Sequence, residues 1–203
     1  MSDALAAPPE RGDTSRMAQG QYLSGQFLIA MPAMADPNFD RTVTYVCEHN
    51  ADGALGIIVN RPTTMSLGEI LEQMDLKAAD LGLAAQPVLQ GGPVQPERGF
   101  VIHDSSEGFD STLDVADGLK VTTSRDILVA LAENRGPMRA VIALGYAGWT
   151  AGQLEAEMAA NAWLTVPASA EIIFSVPYDR RWESAAALLG IDMSTISPEA
   201  GHA

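Results

Sequence analysis

Asp36 and Asp40 stand just before one β-like run, Arg41 opens it, and Asn60-Arg61 closes the next. If the two runs pair as a hairpin, Arg41 comes close to Arg61 with carboxylates between them. Such a cluster either binds a small anionic ligand or forms an Arg–Asp network that pins the loop over 33–40. A second group is Gly145-Tyr146-Ala147-Gly148-Trp149-Thr150, followed by Gly152. A glycine turn between a strand ending at Leu144 and a helix opening near Thr150 would turn free N–H groups and a helix dipole toward an anion. The alternative is that the glycines let Trp149 and the helix pack closely. The spacing G-x-x-G-x-x-x-G matches neither the dinucleotide fingerprint nor the P-loop, and no lysine follows it. Third, Cys47 and His49 lie two apart in a strand-like run, which puts them on one face roughly 7 Å apart. They are either a redox-sensitive thiol beside an imidazole or a buried core thiol and a strand-end histidine.

The catalytic templates fail one by one. His103-Asp104 has the look of a metal phosphohydrolase pair, but His49 and His202 are the only other histidines, and no H-E-x-x-H is present. No metal site is expected. Ser24-Gly25 and Ser105-Ser106 lack the G-x-S-x-G context of a hydrolase nucleophile. No cofactor fingerprint is found, and a noncatalytic role is favoured over an enzyme.

Bulk properties narrow the classes further. The chain has 203 residues, 47% hydrophobic and 19% charged, enough apolar material for one sizeable core. A formal net charge of −14 repels phosphate backbones, and the twelve Lys and Arg are scattered, with Arg180-Arg181 the single adjacent pair. Direct nucleic-acid binding is therefore disfavoured. One cysteine excludes an internal disulfide and suits a reducing compartment. With no signal-like start and no long apolar run, a cytoplasmic protein without a membrane span is expected.

The elements that must position these groups follow from periodicity and punctuation. Residues 26–30 read as a strand stopped by Met31-Pro32, 41–48 as a strand alternating Val43, Tyr45 and Cys47 against Thr42, Thr44 and Val46, and 55–59 as its return across Asp52-Gly53. Ser66-Leu67-Gly68-Glu69 is a capping box opening a helix to about Lys77. Strands are expected at 88–90, 99–103 and 119–122, separated by a long polar loop, then a helix from Ser124 to Asn134. A central strand at 140–144, a helix opening at 150–153, strands at 163–166 and 171–176, and a last helix capped by Asp179 complete the order. In that helix Trp182, Ala185, Ala186 and Leu189 form the apolar stripe. The fold class is α+β: a single domain over 21–196 with a mixed, mainly antiparallel sheet and about four helices packed on it. Residues 1–20 and 197–203 are expected to be disordered tails.

The blocks Asp36-Pro37-Asn38-Phe39, Arg41-Thr42-Val43 and Asn60-Arg61-Pro62 resemble the AlgH/YqgE family of bacterial proteins. Gln90-Gly91-Gly92-Pro93-Val94, Gly145-Tyr146-Ala147-Gly148-Trp149 and the closing Arg181-Trp182 with Leu189-Gly190-Ile191-Asp192 are similar to the family's other signatures, in the family's order. The resemblance implies a genetic link, in one lineage, to regulation of exopolysaccharide (alginate) synthesis. It implies no assigned activity, cofactor or catalytic residue. The combined expectation is a binding or regulatory module acting through a protein partner. The alternative is a small-molecule or nucleotide binder, or an enzyme, using the Gly145–Gly152 turn and the Arg41/Arg61 cluster.

Overall fold

The structure, a computed structural model, describes residues 22–196. The tails expected over 1–20 and 197–203 lie outside the described residues, as does His202.

The first half is built of hairpins. Strand β1 (Gln26–Ala30) ends at Met31-Pro32, and β2 (Val43–Asn50) turns through Ala51-Asp52 into β3 (Gly53–Ile58). The register runs from Thr44 opposite Ile58 to Asn50 opposite Gly53. Strand β4 (Pro62–Ser66) leads into α1 (Leu67–Gln73), whose capping box forms as expected: the Ser66 hydroxyl accepts from Glu69 N–H while the Glu69 carboxylate accepts from Ser66 N–H. These bonds hold the Glu69 carboxyl below its ordinary value. After α2 (Leu81–Ala84) come β5 (Pro87–Gln90), β6 (Val94–His103), β7 (Thr112–Ala116), β8 (Leu119–Thr122) and α3 (Arg125–Ala132). The second half alternates: β9 (Ala140–Thr150), α4 (Gln153–Ala159), β10 (Trp163–Pro167), α5 (Ala170–Phe174), a 3₁₀ turn Tyr178–Arg180 and α6 (Arg181–Ala187).

Ten strands form one curled sheet in the order β10-β1-β2-β3-β9-β6-β8-β7, with β5 alongside β9 and β4 on β5. Only β5 and β9 run parallel among the described pairs. The curl brings the two ends of the order together, so a Cβ built on Gly25 would lie 2.4 Å from that of Ala116 on β7. The concave side encloses the main core, with Phe27, Ile29, Tyr45, Ile57 and Ile102 under a plug of α5 and α6. Two smaller cores lie outside: α1 and α3 cover Val101 and Ile142, and α4 covers Leu28, Val46 and Ala147. Both faces of β1 are thus buried, which is why its sequence is a continuous apolar run instead of an alternating one.

The departures from sequence expectation have physical causes. Of residues 171–176, expected as a strand, 171–174 lie in helix α5 and the last two in the turn after it. A run of two isoleucines between Pro167 and Pro177 is too short for period to decide, and only a helical turn sends both Ile172 and Ile173 into the one core. The glycine turn expected after Leu144 is strand: β9 continues to Thr150, and the helix begins after Gly152. Helix α1 stops at Gln73 instead of near Lys77. Strand β7 lies within the stretch expected to be a long polar loop. Arg180, not Asp179, holds the N-cap position of α6, and Leu189 leaves the apolar stripe at 40% exposure. Six α-helices, not four, are found among the described residues, because α2 and α5 are single turns with no periodic signal.

Candidate functional site

The first expected cluster holds a loop. Arg61 donates from Nη1 to Asn38 O (2.7 Å) and from Nη2 to Pro37 O (3.1 Å) and Asp40 O (3.0 Å). Its planar fork thus gathers the carbonyls of the 37–40 turn and not the carboxylates. Asn60 completes the clamp, accepting from Val43 N–H and donating to Arg41 O. Arg41 adopts φ 50° and lays its guanidinium over Trp182, 5.4 Å from the ring centroid. Asp36 accepts from Asn38 N–H in an Asx turn. Among the described residues no ion pair joins Asp36 or Asp40 to Arg41 or Arg61. Beneath the loop, buried Arg181 donates to Val59 O and Val176 O and stacks on Tyr178, and burial brings its pKa down to about 10.

Cys47 and His49 do not share a face. A bulge sets Val46 opposite Gly56 but Glu48 opposite Leu55, so Cys47 points into the main core and His49 toward α4. Cys47 is 2% exposed, and burial, with Glu48 nearby, pushes its thiol far above the ordinary value. His49 Nδ1 accepts from Leu23 N–H (3.0 Å). Its Nε2 therefore carries the proton and donates to Glu155 (2.9 Å). His103 is fixed in the same way: Nδ1 accepts from Ser105 N–H, and Nε2–H opens a chain through Thr122 and Thr112 hydroxyls to Phe109 O. Burial, reinforced by Lys120, lowers its pKa. Asp104 is paired with Arg139. No cluster able to hold a metal ion occurs among the described residues.

What remains open is the end of β9. Its middle is crossed by the backbone of 91–93 so closely that a Cβ on Gly92 would sit 2.1 Å from the Tyr146 carbonyl carbon, and Gly145 takes φ 74° to pass. Beyond the crossing, Val94 is the last β6 residue paired with β9, opposite Tyr146. On the other side Ala54 faces Trp149 and Leu55 faces Gly148. Asn50 and Gly53 close the hairpin turn, so Gly53 directs its backbone groups at β2, Ala54 directs its groups at Trp149, and those of Gly148 and Thr150 point away from β3. Thr150 N–H is taken by Gln153 Oε1 (3.0 Å). Gly148 is exposed, and no loop or side-chain partner among the described residues meets its N–H or C=O.

Clefts lie on both faces of this edge. One, of about 460 Å³, is lined by Leu55, Tyr146, Gly148, Glu48 and Asp52. The other, of about 400 Å³, lies between the 31–39 loop and α4 over Phe39, Trp149 and Trp163. The three rings pack with centroids 5.4 to 6.0 Å apart. Glu157 Oε2 accepts from both indoles, Trp149 at 2.9 Å and Trp163 at 2.8 Å, while Gln153 donates to Oε1. Both clefts contain carboxylates, and neither is lined by Lys, Arg or His. Of the expected site residues, Asp36, Gly148, Trp149 and Thr150 border these clefts; Asp40, Arg41, Asn60, Arg61 and Gly145 do not. Glu157 and Trp163 were not singled out from sequence. The signal was a glutamate three positions after Leu154, beside the apolar stripe of α4.

Fold and site together define a small α+β domain: a nearly closed sheet, a loop locked by arginine, and an acidic, aromatic cleft pair at one free strand end. The chain belongs to the AlgH-like family, whose model matches residues 27–194. It is 54% identical to a UPF0301 protein of Thioalkalivibrio sulfidiphilus over 92% of this chain and all of that one, and 55% identical to one of Ralstonia nicotianae over 89% and 95%. The solution structure of the AlgH protein from Pseudomonas aeruginosa is similar, with TM-score 0.74, 49% identity and coverage of 90% of this chain and 97% of that one. A Corynebacterium diphtheriae crystal structure, 19% identical and covering 86% and 91%, shares the fold with TM-score 0.66.

Proposed function

We propose that this chain is a noncatalytic binding module that acts through a protein partner docking on the paired clefts at Gly148 and Trp149. The observation that supports it most is the exposed Gly148 backbone between two clefts lined by carboxylates, amides, aromatic rings and the Tyr146 and Thr150 residues, open on both faces of one strand end. His49 and His103 point elsewhere, each with both ring nitrogens occupied. A regulatory effect, on exopolysaccharide synthesis or another output, would then pass through the partner and need no nucleic-acid contact.

An anion at Gly145–Gly152 is the less favoured ligand, because residues 145–150 are strand and neither adjoining cleft is lined by Lys, Arg or His. The test is capture from bacterial lysate by the full chain and by Gly148→Val, with the near-ultraviolet signal of the tryptophans as the folding control. Proteins retained by the wild type and lost by the variant are expected. Equal retention by the two contradicts the assignment.

A further inference from the structure

We infer that the Gly148 edge of β9 receives an extended, lysine- or arginine-bearing segment of the partner as an added strand. The inference rests on the docking surface proposed above and names its occupant.

Three observations converge on it. First, β9 outlasts its neighbour: β6 pairs with it no further than Val94 opposite Tyr146, so Gly148 presents a donor and an acceptor in strand geometry to a side where no described residue bonds them. An incoming strand satisfies both by exchanging two hydrogen bonds with one residue. Second, successive side chains of an extended segment point to opposite faces, and this edge has a cleft on each face, both bordered by Gly148 and Trp149. Gly148 itself leaves the approach clear: a Cβ there would come within 3.2 Å of the Tyr146 ring. Third, the walls carry Glu48 and Asp52 on one side and Asp36 and Glu157 on the other, with no basic residue in either lining. With the chain at a net −14, the complementary partner is cationic, and the aromatic floor of Phe39 and Trp149 suits the apolar stems of Lys and Arg.

The experiment titrates the isotopically labelled full chain with three peptides: an alternating lysine–valine octapeptide, its glutamate–valine counterpart, and the lysine peptide N-methylated along its backbone. The lysine peptide should shift the amides of Gly148, Trp149 and Thr150 and bind more weakly as salt is raised. N-methylation removes the peptide N–H that meets the Gly148 carbonyl and should weaken binding about tenfold, the equivalent of that one neutral hydrogen bond, and the glutamate peptide should leave these amides unmoved. Equal binding by the glutamate or N-methylated peptide at these same amides overturns the cationic-strand occupant and leaves the docking surface standing. Shifts confined to other residues overturn both. No shift with any peptide overturns the occupant, and the Gly148→Val capture comparison then decides the docking surface on its own.

Discussion

Trp149 and Trp163 stand nearly perpendicular, at 78°, and donate their indole N–H groups to a single carboxylate oxygen of Glu157. One acidic side chain on α4 therefore ties the end of β9 to β10, and it shapes the floor of a cleft while doing so. Glu157→Ala leaves two largely buried indole donors without an acceptor and should cost about 3 kcal/mol in urea unfolding. Glu157→Gln keeps an acceptor oxygen and should cost about 1 kcal/mol. Equal losses from both would mean the charge, not the acceptor, is what matters.

Arg61 tests whether the loop cluster is structural. Arg61→Lys keeps the charge but loses the fork that spans three carbonyls, so it should destabilise nearly as much as Arg61→Ala, by about 2 kcal/mol, and speed amide exchange over 38–42. Full rescue by lysine would point to a charge-binding role instead.

Burial makes Cys47 inert in the folded state, because the thiolate is the reactive form and its formation is strongly suppressed. A disulfide reagent near neutral pH should label Cys47 only as fast as the protein opens, with the rate rising in denaturant. Rapid labelling of the native protein would contradict the burial.

His103 should make the fold acid-sensitive. Its folded pKa lies below the ordinary histidine value of about 6.5, so the unfolded chain takes up the proton first as pH falls. Stability from this site is therefore complete above about pH 6.5 and declines as pH drops from there to the folded pKa. His103→Gln should flatten the stability slope over that window, read from urea midpoints at a series of pH values. An unchanged slope would assign the sensitivity to other groups.

The parts of the fold legible in sequence are those where one local signal suffices. The hairpin signalled at Asp52-Gly53 formed, turning one residue earlier through Ala51-Asp52 with Gly53 paired to Asn50, Ser66 and Glu69 closed their capping box, and the apolar run stopped by Met31-Pro32 marked β1. Failures occurred where tertiary context decides. The β2 bulge turned His49 away from Cys47, and no residue type announces a bulge inside an alternating run. Gly145 and Gly148 looked like a turn, yet Gly145 serves a backbone crossing and Gly148 sits in a strand whose neighbour ends early. The loop cluster was half legible: Arg61 was placed beside the 33–40 loop, but its partners are carbonyls, which sequence cannot distinguish from the aspartates around them.

The free edge of β9 is the central claim, and amide hydrogen exchange at Gly148 tests it most directly. In the isolated chain Gly148 N–H should exchange at close to the rate of an unprotected amide while its neighbours Ala147 and Trp149, paired with β3, are strongly protected. Protection of Gly148 equal to that of Trp149 would show the edge already occupied and would contradict the account.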